Sequence, residues 1–184
     1  MAIFAKKTVI GWEEWLSLPE MGLPLIKAKV DTGAQTSSLH ATNIKVVKRG
    51  EKRFVRFRIN PIHKNKKVIV KCIAPLVDRR YIVDSGGHRE KRYVISTEMV
   101  IGKKREEIEI TLTNRKTMAF RMLLGRQAME VAKLMVDPVK SCCMGQYKLH
   151  QVMQVYQRVL EPKQIIYEKS ENVKDENSTT GLQS

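Results

Sequence analysis

The sequence predicts an all-β fold, a closed barrel or a sandwich, on the strength of two observations. Short segments that alternate apolar with polar residues recur from Thr8 to Leu124, a pattern typical of strands with one buried face. Turn-forming stretches such as KRGEK, SGG and IGKK separate these segments. The chain has 184 residues, 42% of them hydrophobic, which is enough for one packed core.

Nine segments have the composition of strands. The alternation is clearest in PLIKAKVD, RFVRFRI and EEIEITLT, where every second residue is apolar. The other six segments are TVIGW, NIKVV, KVIVKCI, RYIV, RYVISTEMVI and AFRMLLG. We therefore expect many short strands joined by turns, as in β-barrels and sandwiches.

Helix is predicted in the second half of the chain. GRQAMEVAKLM, which begins at Gly125, has apolar residues at helical spacing as far as Met135, and Pro138 ends the stretch. YKLHQVMQVYQRVL has an apolar stripe and predicts a second helix. The last residues are polar and predict disorder. The predicted organisation is a barrel domain over 1–145, a helical extension over 146–167 and a disordered tail over 168–184.

The formal net charge is +15, from 34 Lys and Arg against 19 Asp and Glu, which implies attraction to polyanions. The excess is local, since the segment from Lys45 to Lys71 is rich in basic residues and holds one acid, Glu51. Arg56 and Arg58 alternate there with apolar residues, so they are expected on the outer face of a strand. We interpret this face as solvated surface, with nucleic acid a possible partner that is not favoured.

The chain has no apolar run of about 18 residues and no N-terminal signal of the secretory type, so no membrane contact is expected and a cytoplasmic location is predicted. Cys72, Cys142 and Cys143 do not form a disulfide framework, because their number is odd and two are adjacent. Reduced thiols are the expected state.

The stretch KAKVDTGAQTSSLHA contains a motif whose residues could take part in catalysis. An apolar strand ends on Asp31, and Thr32 and Gly33 then allow a tight turn. Asp-Thr-Gly can form a solvated turn, or it can hold a carboxylate for chemistry. A second signal lies downstream, where the apolar strand in FRMLLGRQAM runs into Gly-Arg and then a predicted helix.

VDTGA, followed about ninety residues later by MLLGRQAM, resembles the retropepsin-like aspartic proteases. The resemblance is closest to a bacterial branch and covers about residues 8–145, including IGWEEWLSLPEMGLPLIKAKVDTGAQTSSLHA, SGGHREKRYVI and EITLTNRKTMAFRMLLGR. Members of this branch are often labelled ATP-dependent zinc proteases, and some are encoded beside a ligase that adds glutamates to a ribosomal protein. The resemblance implies a closed barrel with one short helix after the Gly-Arg strand.

The resemblance also implies a mechanism. One chain supplies one Asp-Thr-Gly, whereas an aspartic dyad needs two carboxylates, so two copies of Asp31 would meet in a homodimer and share one proton. Thr32 would bond across the two-fold axis, and Gly33 would allow the substrate backbone to approach. The expected reaction is hydrolysis of a peptide or protein substrate, with acidic or glutamate-rich substrates as candidates, and no cofactor is expected.

Substrate-binding residues are implied around this turn and in a flap. The flap corresponds to YIVDSGGHREKRYVI, and a plain exposed hairpin remains an alternative reading of that segment. In viral members the residue after Asp-Thr-Gly-Ala is an aspartate that pairs with the arginine of Gly-Arg; here it is Gln35, so Arg126 needs another partner, with Asp137, Asp84 or the Gln35 carbonyl as candidates. The expected substrate-binding residues are Ala34, Gln35, Ser85, Gly86, Gly87 and Arg126.

Two alternative functions remain open. The first is a zinc-dependent protease, as the label of the branch suggests, although His-Glu-x-x-His and Cys-x-x-Cys are absent from the sequence and no metal site is predicted. No Gly-x-x-x-x-Gly-Lys-Ser/Thr loop supports a dependence on ATP. The second alternative is a basic β-barrel that binds a polyanion and has lost turnover.

Overall fold

The computed structural model describes residues 7–83 and 87–159. The strands are β1 (Thr8–Ile10), β2 (Glu13–Leu18), β3 (Leu23–Val30), β4 (Ser37–His40), β5 (Thr42–Arg49), β6 (Lys52–Ile59), β7 (Val70–Val83), β8 (Arg89–Ile101), β9 (Lys104–Thr113), β10 (Met122–Leu124) and β11 (Leu134–Val136). The helices are α1 (Arg126–Val131), α2 (Leu149–Val159) and a short 3-10 helix at Pro19–Met21. The prediction of a mostly β chain is confirmed.

A closed six-stranded barrel forms the centre of the structure. Its strands follow the order β2-β3-β10-β4-β9-β8, and pairing of Ser17 in β2 with Val100 in β8 closes the ring. The sheet continues beyond β8 through β7 and β6 to β5. β1 and β11 form a separate two-stranded parallel sheet. The predicted closed barrel is therefore confirmed.

The three-residue strand β10 determines where the Asp31 turn lies. β3 and β4 are consecutive in sequence, but they are not neighbours in the sheet, because β10 lies between them. β10 runs parallel to β3, with Leu124 opposite Val30, and antiparallel to β4, with Met122 opposite Leu39. The connection from β3 to β4 must therefore pass across the end of β10.

The predicted alternation of apolar residues corresponds to the hydrophobic core, which the barrel strands share with β6. Ile26 and Ala28 of β3 are fully buried, and Val30 is 8% exposed. The same inward pattern holds for the apolar residues of β6 and β9, while Arg56 and Arg58 of β6 are exposed. Full burial of each large apolar side chain stabilises the fold by about 1.5–3 kcal/mol.

The prediction for GRQAMEVAKLM is wrong in its second half. Helix α1 ends at Val131, and Lys133 takes a left-handed conformation with a φ of 52°. Met135 then lies in β11, opposite Val9 of β1. Pairing with the N-terminal strand, which is remote in sequence, overrides the local helical spacing, so Pro138 does not end the helix.

Three other strand predictions differ from the structure. KVIVKCI and RYIV are parts of one strand, β7, which passes through Pro75, and AFRMLLG contributes only Met122–Leu124. The sequence prediction missed β2 and β4. Strand β2 does alternate, but one of its inward positions is Glu14, which concealed the pattern.

Glu14 ties the start of the barrel to the segment that precedes α2. Its side chain is fully buried. Oε1 accepts hydrogen bonds from the N–H groups of Gly11 (2.7 Å) and Cys143 (2.8 Å), and Oε2 accepts one from the N–H of Met144 (3.0 Å). Three backbone donors thus satisfy a buried carboxylate that is otherwise costly to remove from water.

Helix α2 packs against the barrel. Tyr156 and Val152 are buried, and the hydroxyl of Tyr156 donates to the carbonyl oxygen of Leu25 in β3 (2.6 Å). The domain boundaries predicted at 145 and 167 stay predictions, and the tail predicted at 168–184 lies outside the described residues. Among the described helices, none is long and apolar enough to cross a membrane.

Candidate active site

The Asp31 turn, residues 31–36, joins β3 to β4 and holds one carboxylate in a defined position. The N–H of Asp31 donates to the carbonyl oxygen of Leu124 (2.9 Å). Oδ1 of Asp31 accepts from the N–H groups of Gly33 (3.0 Å) and Ala34 (3.2 Å). The side chain is half-buried, and within the described residues Oδ2 has no hydrogen-bond donor, so that oxygen can receive water or substrate.

Gly33 lies close to this carboxylate. A Cβ added at Gly33 would lie 3.3 Å from Oδ1 of Asp31, which is tighter than an ordinary contact. Thr32 and Gly33 are both exposed. The structure thus brings the three predicted catalytic residues together at the surface, and their catalytic roles stay predictions.

Gly125 is the point where the chain crosses beneath the turn. A Cβ at this position would lie 2.7 Å from the carbonyl carbon of Thr36 and 2.9 Å from both Gln35 O and Ser37 N. The N–H of Gly125 also donates to Oγ of Ser37 (3.1 Å). Because these close neighbours are backbone atoms, no side chain can be accommodated at position 125 without moving the turn.

The first turn of α1 is bound to the same segment. The N–H of Arg126 donates to the carbonyl oxygen of Ala34 (2.9 Å), and the N–H of Gln127 donates to that of Gln35 (3.0 Å). The hydroxyl of Thr36 donates to Oε1 of Gln127 (3.0 Å). These carbonyl groups satisfy helix N–H groups that have no acceptor within the helix.

The guanidinium of Arg126 binds the turn itself. Nη1 donates to the carbonyl oxygens of Thr32 (2.8 Å) and Gly33 (2.9 Å). Two of the three candidate partners are therefore corrected: Asp137 pairs with Lys140 (3.1 Å), and the backbone carbonyl of Gln35 accepts from Gln127. Two backbone carbonyl groups thus bind the guanidinium, so Arg126 is held without an acidic side chain at position 35.

The predicted flap is a hairpin of β7 and β8, which pair from Leu76–Ile95 to Val83–Arg89. Ser85, Gly86 and the candidate partner Asp84 lie outside the described residues. Gly87 has a φ of 81°, a conformation that favours glycine. Near the tip, the guanidinium of Arg89 lies 4.1 Å from the ring centroid of Tyr81. The hairpin is confirmed, whereas closure over substrate stays a prediction.

Arg115, which follows β9, interacts electrostatically with Asp31, and the sequence prediction missed it. Burial lowers the pKa of Arg115 and the Arg92 guanidinium adds to this effect, whereas the Asp31 carboxylate raises it. The Nε–H of Arg115 donates to the carbonyl oxygen of Phe120 (3.2 Å). A cation thus lies within electrostatic reach of the catalytic candidate, and no spacing in the sequence indicates it.

His40, at the end of β4, is buried beside the same loop. Its Nδ1 accepts a hydrogen bond from the N–H of Arg115 (3.0 Å). Burial, with contributions from Arg121, Arg115 and Lys116, lowers its pKa from 6.5 to about 4. The ring is therefore neutral near pH 7, which matches its role as an acceptor.

Potential metal ligands are dispersed in the structure. Within residues 7–83 and 87–159, no group of three His, Cys, Asp or Glu side chains could hold a metal ion. Cys72, Cys142 and Cys143 are free thiols.

A family model described as the retropepsin-like aspartic endopeptidase RimB matches residues 9–146. The chain belongs to the RimB-like family. The match includes the Asp31 turn, the crossing at Gly125 and the β7–β8 hairpin. The family assignment agrees with the resemblance found in the sequence, including its association with a glutamate ligase.

Curated relatives extend the comparison. A probable alpha-L-glutamate ligase of Shewanella halifaxensis is 48% identical over 150 residues, and one of Desulfotalea psychrophila is 44% identical over 150 residues. Each match covers 82% of this chain and 32% of the relative, so the chain spans about a third of their length. A Legionella pneumophila protein described as of unknown function has a similar structure, with a TM-score of 0.66 and 28% identity over 76% of this chain and 100% of its own.

Replacement of Gly125 with alanine should displace the Asp31 turn. Because the added Cβ would overlap backbone, the free energy of unfolding should fall by about 1–3 kcal/mol. Urea unfolding measures this loss, and amide NMR shifts at residues 31–37 report the displacement. As a control, Gly50→Ala adds a Cβ with no atom within 4 Å at a φ of 60° and should leave the shifts of the turn unchanged. Wild-type stability and unchanged turn shifts in Gly125→Ala would contradict the packing argument.

Proposed function

We propose that this protein is an aspartic-type peptidase that activates water with two copies of Asp31, one from each chain of a homodimer. The observation that carries the proposal is the exposed turn in which Asp31 is anchored by two backbone N–H groups and retains one oxygen without a donor in the described structure. Membership of a family of retropepsin-like aspartic endopeptidases supports the same chemistry. The second carboxylate is assigned to a second chain because each chain contains one Asp-Thr-Gly.

The proposed dyad works through a shared proton. Two carboxylates in close contact do not both ionise, so one copy of Asp31 is protonated and the other is charged. The charged carboxylate takes a proton from water as the water attacks the scissile carbonyl, and the protonated one donates to the carbonyl oxygen. Thr32 and Gly33 hold the two turns at the axis, and the β7–β8 hairpin covers the substrate.

The two alternative functions predict different behaviour. A zinc-dependent protease would lose activity on chelation, and its Asp31 would be dispensable. A non-catalytic basic barrel would bind polyanions without turnover, and the exposed cations of β5 and β6 are the observation that favours it. We keep the aspartic peptidase as the proposal because the Asp-Thr-Gly motif holds a carboxylate, that of Asp31, in place with two backbone N–H groups.

Asp31→Asn should lower peptide hydrolysis by about 10²–10⁴-fold while leaving the fold intact, since an amide cannot act as the base toward water. Steady-state cleavage of a casein or peptide library measures the loss, and urea unfolding verifies the fold. Asp137→Asn is the matched control and should retain hydrolysis, because Asp137 pairs with Lys140. Wild-type activity should survive EDTA. Full activity in folded Asp31→Asn, or loss on chelation that zinc alone restores, would contradict the dyad.

The substrate class that we propose is acidic peptide. One face of the β5–β6–β7 ribbon carries exposed cations without an ion-pair partner among the described residues. Three pairs lie directly opposite each other across neighbouring strands: Lys45 and Arg56, Arg49 and Lys52, and Arg58 and Lys71. Like charges in such positions destabilise a sheet, so an anionic partner would relieve their repulsion. We call these six residues the cationic face.

The geometry of the cationic face fits an extended peptide. Among the described strands, β5 pairs with β6 alone, so one edge of β5 is available to a further strand. Side chains on one face of a strand repeat every second residue, about 7 Å apart, both in β6 and in an extended peptide. The curated relatives named as glutamate ligases add a reason to place glutamate-rich chains among the candidate substrates.

A glutamate-rich peptide should be cleaved faster than its glutamine-rich counterpart at low salt, and the difference should shrink as salt screens the charges. Arg56→Gln with Arg58→Gln should reduce the preference about threefold to tenfold. Lys103→Gln with Lys148→Gln removes the same charge from exposed positions outside the cationic face and should preserve it. Rates that are equal for both peptides, at all salt concentrations, would remove the cationic face from substrate selection.

A further inference from the structure

A pocket of about 200 Å³ opens between the barrel wall, the loop at residues 61–63 and helix α2. Its walls are largely apolar and include Trp15, Ile62, Phe120 and Leu149. Two cations, Lys27 and Arg121, and the imidazole of His63 also line the pocket. The volume is below the roughly 300–1,000 Å³ of pockets for drug-sized ligands, so it suits a single ring or a short aliphatic chain.

Arg121 is a buried cation without a counter-charge in the described structure. Only 8% of the surface of Arg121 is exposed to solvent. Nη1 donates to the carbonyl oxygens of Arg115 (2.9 Å) and Lys116 (2.8 Å), while Nε is buried without a hydrogen-bond partner. No ion pair joins Arg121 to a carboxylate within residues 7–83 and 87–159. A buried guanidinium in this state is destabilising, and an anion beside it would offset the cost.

The other cation of the pocket is already neutralised. Nζ of Lys27 lies 2.6 Å from Oε1 of Glu13 and 6.0 Å from the centroid of the Trp15 ring. Arg121 is therefore the cation of this lining that lacks a counter-ion. An anionic ligand in the pocket would find Lys27 already paired with Glu13, whereas the guanidinium of Arg121 is not paired with a carboxylate in the described structure.

The Arg121 pocket lies away from the Asp31 turn. Arg121 precedes the first residue of β10, and the carbonyl of Leu124 at the other end of β10 accepts the N–H of Asp31. Three residues of extended chain separate these ends by about 10 Å. The pocket is therefore a second site, near the end of β10 that is remote from the Asp31 turn.

We propose that the Arg121 pocket binds an apolar carboxylate, with the ring or aliphatic chain against Trp15 and Phe120 and the carboxylate on the guanidinium of Arg121. Two sources have this chemistry, namely a small free acid and the C-terminal carboxylate of a peptide that ends in an apolar residue. A bound carboxylate supplies the missing counter-charge, and the aromatic walls exclude water from the ion pair. This site is additional to peptide hydrolysis and does not require it.

Binding is tested by NMR with ¹⁵N-labelled protein, following the indole N–H of Trp15, which is assigned with Trp15→Phe. Phenylacetate should give a saturable shift, and the neutral isostere phenylacetamide should bind at least about tenfold more weakly. N-acetyl-Ala-Phe and its C-terminal amide form the second pair. Tighter binding of the peptide acid than of phenylacetate identifies a chain terminus as the preferred source, and the reverse order identifies a free acid.

Two variants separate the guanidinium from the cavity. Arg121→Met should abolish the preference for acid over amide, whereas Ala119→Phe, at an exposed position in the pocket lining, should block both ligands without removing the cation. Arg53→Met makes the same charge change at an exposed site on β6 and should leave binding unchanged. Ala119→Phe keeps the test decisive if Arg121→Met does not fold. Equal affinity for acid and amide, or binding that survives Ala119→Phe, would overturn the proposal.

Discussion

The absence of a side chain at Gly125 is the constraint on which the candidate site depends. Strand β10 separates β3 from β4, so the connection between them has to pass over the end of β10. At that point a Cβ would lie 2.7 Å from the backbone of Thr36. The close approach lets Ala34 and Gln35 accept hydrogen bonds from the first turn of α1. The Asp31 turn is thereby held between the end of β10 and the start of α1, and these contacts fix the position of the Asp31 carboxylate.

The distribution of charge separates structural carboxylates from those available for chemistry. Glu14 is fully buried and is satisfied by three backbone donors, and Glu13 and Asp137 are paired with lysines. Asp31 differs, because both of its backbone donors bind Oδ1 and leave Oδ2 without a donor in the described structure. In the described structure no ion pair joins the cationic face or Arg121 to a carboxylate. An anionic partner at the cationic face would therefore reduce the repulsion between its cations. An anion beside Arg121 would offset the cost of burying its charge.

The sequence pattern predicted the features that depend on neighbouring residues, namely the alternating strands and the Asp31 turn. The inward residues of β3, β6 and β9 follow the two-residue period of a half-buried strand, and Asp-Thr-Gly identified the turn. The errors arise where distant segments meet. Glu14 concealed β2 because two of its three backbone donors come from residues 143 and 144, and Met135 joined a strand because β1 pairs with it. The contacts of Arg126 with Thr32 and Gly33 likewise depend on a crossing that spacing alone does not specify.

The proposal that two chains each contribute one Asp31 is tested most directly by mixing. Wild-type chains and folded Asp31→Asn chains are allowed to exchange at constant total concentration, and peptide hydrolysis is measured against the wild-type fraction. If the dyad spans two chains, only wild-type pairs are active, so an equal mixture retains about a quarter of the activity. Retention of about half the activity, in proportion to the wild-type fraction, would show that each chain works alone and would contradict the account.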